Sequence, residues 1–75
     1  MPIAKVTEVK VSSPTSFEDA IKIGITRANK TLKNVKSAWL KDFEVIVGDD
    51  GKITEYRVLM KVTFILEDWG IKDSL

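Results

Sequence analysis

A chain of 75 residues with no cysteine and no histidine has little beyond its own apolar surface to fold around. A domain this short buries only about 60% of the surface its unfolded chain exposes. A single core below roughly 70–80 residues rarely supplies more than about 3–5 kcal/mol. Small domains usually add disulfides, a metal or association with other chains. Without Cys or His, disulfide frameworks, zinc and iron–sulfur sites and Cys or His nucleophiles are excluded together. Any metal would have oxygen ligands only. The chain therefore reads as one domain, residues 1–75, with self-association as the expected reinforcement.

Lys plus Arg number 12 and Asp plus Glu 11, a net charge of +1. This is not the basic field of a general nucleic-acid binder, so no nucleic-acid partner is expected. Apolar residues at 44% and charged residues at 31% give a globular balance. No apolar run approaches the ~20 residues of a membrane span, so no membrane partner is expected. Met1-Pro2-Ile3-Ala4-Lys5 lacks the apolar centre of a signal peptide, and the expected location is the cytoplasm.

The pattern predicts four elements. Ile3 to Val11 reads as a strand, with Val6, Val9 and Val11 against Lys5, Glu8 and Lys10, and Ser12-Ser13-Pro14-Thr15 is turn chemistry that stops it. Phe17, Ala20, Ile21, Gly24, Ile25, Ala28 and Leu32 fall on one helical stripe. Ser16 is the expected N-cap, Glu18 and Asp19 complement the helix dipole, and Asn34 suits the left-handed C-terminal position. Gly24 at mid-stripe costs about 1 kcal/mol against Ala, which implies close helix–sheet contact. Ser37 to Val47 and Ile53 to Leu66 are two further strands joined by a hairpin turn, Gly48-Asp49-Asp50-Gly51. Glu67-Asp68-Trp69-Gly70 ends the last strand, with Trp69 expected over a core edge or subunit contact.

A β-α-β-β order makes the first two strands parallel in direction, and the hairpin reverses the third. The result is an α+β fold: a three-stranded antiparallel sheet, order 1-3-2, packed on one helix. The last strand has one apolar face, Tyr56, Val58, Met60, Val62, Phe64 and Leu66. Its other face is mixed: Glu55, Arg57, Leu59, Lys61, Thr63 and Ile65. One helix covers one sheet face, so the mixed face and Trp39 are left for a subunit interface with ligand pockets.

No catalytic constellation is visible. An enzyme would need Asp/Glu, Lys or Tyr as acid and base, and the carboxylates here are explained singly by capping, turn or solvation. The chain is expected not to be an enzyme. The Gly48–Gly51 loop lacks EF-hand ligand spacing and reads as a turn only. Oxygen ligands from several subunits around a symmetry axis are not readable from one chain, so any metal ligands are unknown. Trp39 is the most informative residue: a strand Trp is usually core or interface, and its functional alternative is a stacking platform for a planar ligand.

Together these stretches resemble the dodecins. The resemblance spans about Lys5 to Glu67 and rests on Val6-Thr7-Glu8-Val9 before the Ser-Ser-Pro turn, Ser16-Phe17-Glu18-Asp19-Ala20-Ile21, Thr26-Arg27-Ala28-Asn29-Lys30-Thr31-Leu32, and Glu55-Tyr56-Arg57-Val58 leading to Lys61-Val62-Thr63-Phe64-Ile65-Leu66. It implies a hollow homo-dodecamer with tetrahedral symmetry that stores and sequesters riboflavin, FMN or related flavins without turning them over. The ring then stacks on a Trp early in the second strand, and a Gln on the last strand bonds its pyrimidine edge.

The chain departs from that pattern at both positions. Counted without gaps from Thr31-Leu32, the family Trp falls on Ser37, and Trp39 comes two residues later, on the same face of a regular strand. The family Gln falls on Arg57, which has five donors and no acceptor. Flavin O2 and O4 could bond Arg57, but N3–H would lose its partner, at about 1–3 kcal/mol or roughly 5- to 150-fold in affinity. The resemblance thus gives Trp39, Arg57 and Ser37 as the flavin-binding residues of a weakened site. The competing reading is a flavin-free structural or cation-binding dodecameric assembly. Trp39 and Arg57 are expected on the sheet face away from the helix near a two-fold, the guanidinium stacked on the indole or bonded to the ligand.

Overall fold

The computed structural model describes residues 3–66, and Glu67 to Gly70, Trp69 among them, lie outside the described residues. Its elements are β1 (Ile3–Ser13), α1 (Phe17–Leu32), β2 (Val35–Val47) and β3 (Ile53–Leu66). The strands form one antiparallel sheet in the order β1-β3-β2, the order the hairpin and helix crossover require.

The helix occupies the predicted residues because its sequence supplies both ends. The Ser16 hydroxyl accepts the Asp19 N–H at 2.9 Å, and Glu18 and Asp19 fill the first turn. Lys33 caps the C-terminus at φ 58°, its N–H reaching Asn29 O, and Asn34 takes the expected left-handed position after it at φ 52°. The Asn29 side chain then accepts the Val35 N–H at 3.1 Å, steering the chain into β2.

β1 runs two residues past the predicted end, with Ser12 opposite Arg57 and Ser13 opposite Tyr56. The Ser-Ser-Pro segment does turn, but Ser13 satisfies its own buried hydroxyl first. Its Oγ donates to Asp19 Oδ2 at 2.6 Å and accepts the Thr15 N–H at 2.9 Å. The start of the helix is thereby tied to the end of β1. β2 begins at Val35, earlier than predicted, because Lys36 is an extra unpaired residue between Val35 and Ser37.

The core lies between α1 and one face of β3. Val58, Met60 and Val62 are fully buried beneath Ala20 and Ala28, with Ile21, Ile25 and Leu32 packed at its margin. Each fully buried aliphatic side chain is worth about 1.5–3 kcal/mol. Phe17 closes one end, edge-on to Phe43 at 5.1 Å and Tyr56 at 5.2 Å between ring centroids. No described helix lies over the open face of the sheet. Among the described residues, no helix is long and apolar enough to cross a membrane.

Candidate functional site on the open sheet face

Side chains directly opposite each other in an antiparallel ladder share a face. The register therefore places Ser37 with Thr63, Trp39 with Lys61, Asp42 with Leu59 and Glu44 with Arg57 on the face away from α1. From β1 the same face receives Glu8, Lys10 and Ser12, opposite Lys61, Leu59 and Arg57. The ladder is unbroken from Ser37 to Leu40, so Ser37 and Trp39 point the same way. Trp39 is 65% exposed, an unusual position for the largest apolar side chain.

Trp39 and Arg57 share this face, but they are not neighbours within one protomer. The Leu59–Asp42 pair separates them, and four residues along β3 span about 13 Å. The cations beside the indole are Lys41, 4.4 Å from the ring centroid, and Lys61, at 6.0 Å. Lys61 is there by direct register. Lys41 is there because it is the extra residue of a β-bulge between Leu40 and Asp42, and a bulge re-aims side chains.

Arg57 is held at the other end. Its Nε–H donates to Glu55 Oε1 at 3.0 Å, two residues back on the same face. That bond takes Nε and leaves the two terminal nitrogens of the fork outside it. Lys10 Nζ reaches across β3 to Glu44 Oε1 at 3.5 Å, linking the outer strands. Arg57, Lys10, Glu44 and Leu59 line a shallow hollow of about 370 Å³, and Arg57, Lys10 and Ser12 one of about 280 Å³. A wider concavity of about 650 Å³ lies between α1 and β1 and contains none of Ser37, Trp39 and Arg57.

Lys41, Lys61, Lys10 and Glu44 were not singled out as site residues from the sequence. The signal for Lys61 existed. Counting outward from Val47 and Ile53 already pairs Trp39 with Lys61, because the extra residue on β3 near Thr54 and the one at Lys41 on β2 cancel. No comparable signal exists for Lys41, whose place depends on the bulge. The Gly48–Gly51 loop is a turn as expected: Gly48 and Lys52 close it, Gly51 sits at φ 82°, and Asp50 Oδ1 accepts the Lys52 N–H. Among the described residues, no three Asp or Glu side chains gather as a metal site.

Among the described residues, one helix under a three-stranded antiparallel sheet with an exposed aromatic and cationic open face defines a small β-α-β-β domain. The chain belongs to the dodecin family, whose model matches residues 3–67. It is 33% identical over 64 residues to the calcium dodecin of Mycobacterium tuberculosis, covering 85% of this chain and 89% of that protein. It is 32% identical over 66 residues to the dodecin of Thermus thermophilus, covering 88% and 94%. The structure of a dodecin from Streptomyces davaonensis superposes with a TM-score of 0.84 at 33% identity, covering 89% of this chain and 97% of that one.

Proposed function

We propose that the chain assembles as a hollow homo-dodecamer that binds and sequesters small planar ligands of flavin type, with Trp39 as the stacking platform and Ser37 and Arg57 lining the site. The observation that carries this reading is the 65% exposed indole on a sheet face that none of the described elements covers. An aromatic ring stacked on such a platform is worth roughly 1–3 kcal/mol per ring. The residues present fit a flavin in part: the indole offers a face, the Ser37 and Thr63 hydroxyls stand beside it, and the Arg57 fork offers donors for carbonyl oxygens. The flavin itself would supply the light-absorbing, redox-active ring, and the role of the protein is to hold it, not to turn it over.

The spacing also supports assembly. Trp39 and Arg57, about 13 Å apart along one sheet, meet one ligand most readily where two copies face each other across a two-fold and each contributes an end. Riboflavin added to the purified protein is expected to lose fluorescence on stacking, and Trp39→Ala to abolish the loss. Full quenching by Trp39→Ala would remove the indole from the site.

A second reading, a flavin-free structural or cation-binding dodecamer, is favoured by the relative named a calcium dodecin. In this chain its oxygen ligands would come from several copies, since no described group of three carboxylates stands ready in one. Colourless protein that leaves riboflavin fluorescence unchanged, and whose assembly loosens on chelation of calcium, would support it.

A further inference from the structure

The exposed ring of Trp39 is flanked on its own protomer by two ammonium groups, Lys41 Nζ at 4.4 Å and Lys61 Nζ at 6.0 Å from the centroid. The ion pairs among the described residues are Lys10–Glu44, Lys22–Glu18 and Arg57–Glu55, so no described carboxylate lies within 4.0 Å of either lysine nitrogen. The acidic groups closest in register are Asp42, next to Lys41 in the chain, and Glu8, opposite Lys61. Beyond the Trp39–Lys61 pair stand two hydroxyl residues, Ser37 and Thr63. The bulge at Lys41 matters here, because a regular strand would have no extra residue between Trp39 and Asp42 to place a second cation at the ring.

An aromatic face bordered by two cations with no carboxylate partner among the described residues, and by two hydroxyls, discriminates by charge. A neutral ring gains stacking but must share the indole with Lys41, whose contact with the ring is itself favourable. A ring carrying an anionic group gains the same stacking and brings its charge to the two ammoniums. We infer that the Trp39 site selects planar aromatic anions over neutral rings of the same shape. This rests on the reading of Trp39 as a stacking platform and adds the chemical class of the ligand.

The test uses two matched pairs. FMN and riboflavin share one ring system and differ by a phosphate; naphthalene-2-sulfonate and naphthalene-2-sulfonamide differ by one charge. Fluorescence titrations at low salt should show the anion of each pair binding more tightly, by about five- to twentyfold for FMN, since exposed ion pairs contribute up to about fivefold each. The preference should shrink as salt is raised, because screening acts on the charge term and not on stacking. Lys41→Gln combined with Lys61→Gln should bring the preference to about twofold or less. Light scattering should show the variant with the parent's mass, and Lys41→Gln alone, at the bulge, should lower the preference part of the way. Equal affinity within both pairs, or a preference unchanged in the double variant, would overturn the inference. If neither flavin binds but the sulfonate still outcompetes the sulfonamide, the flavin reading falls and the anion preference stands. If no member of either pair binds, both fall.

Discussion

If the chain holds a flavin as proposed, Arg57 is where it differs most consequentially from the pattern that the dodecin resemblance implies. A Gln at that position both donates and accepts, whereas a guanidinium only donates. Flavin N3–H would then be buried facing donors, a loss of about 1–3 kcal/mol. Arg57 has a local reason to be stable where it is: Glu55 binds its Nε at 3.0 Å, and the guanidinium side chain is 37% exposed. Such a half-exposed pair adds little to stability, so replacing the Arg should leave the fold intact. Arg57→Gln is accordingly expected to tighten riboflavin binding by about fivefold or more in a fluorescence titration. The gain should disappear when Trp39→Ala is added. If Arg57→Gln binds riboflavin no better than the parent, Trp39 is an interface residue and not a platform.

At the scale of elements, α1 packs tightly on the sheet at Gly24. A Cβ there would meet Met60 Cε at 2.7 Å and Val11 Cγ1 and Cβ at 3.1 and 3.3 Å. Met60 can bend away, but Val11 is stiff at χ1 and sits in the β1 ladder opposite Val58. Gly24→Ala would gain about 1 kcal/mol of helix propensity and lose about 1–3 kcal/mol to overpacking. The expected net effect is a lower Tm in thermal unfolding, and a raised Tm would mean that the helix can lift off the sheet without cost. This contact was legible in the sequence, because a mid-stripe glycine in a helix calls for a packing reason. The helix bounds and the 1-3-2 order were legible for the same kind of cause: a stripe, a cap and a hairpin leave few alternatives. The extension of β1 to Ser13 was not, since the Ser13–Asp19 bond that allows it joins residues on two elements. The face shared by Ser37, Trp39 and Arg57 followed from alternation alone. Of the two lysines at the indole, Lys61 could be found by counting the hairpin register, whereas Lys41 could not, because its place depends on a bulge that leaves no local mark in the residues.

At the scale of the molecule, the described chain is too elongated to shelter its own apolar surface. It extends 60 Å by 18 Å by 14 Å, and α1 covers only the middle of one sheet face. Ile3, Val6, Phe43, Val47 and Ile53 are each at least 47% exposed, besides Trp39 on the open face. Apolar surface spread over both faces and the hairpin end is what subunit contacts bury in a symmetric assembly. The core itself is small, built around Val58, Met60, Val62, Ala20 and Ala28, in line with a chain whose stability depends on association. The most direct test of the account is therefore the mass of the particle in solution at micromolar concentration, measured by light scattering. The account predicts about twelve times the 8.4 kDa chain mass, near 100 kDa. A stable monomer or dimer would contradict it.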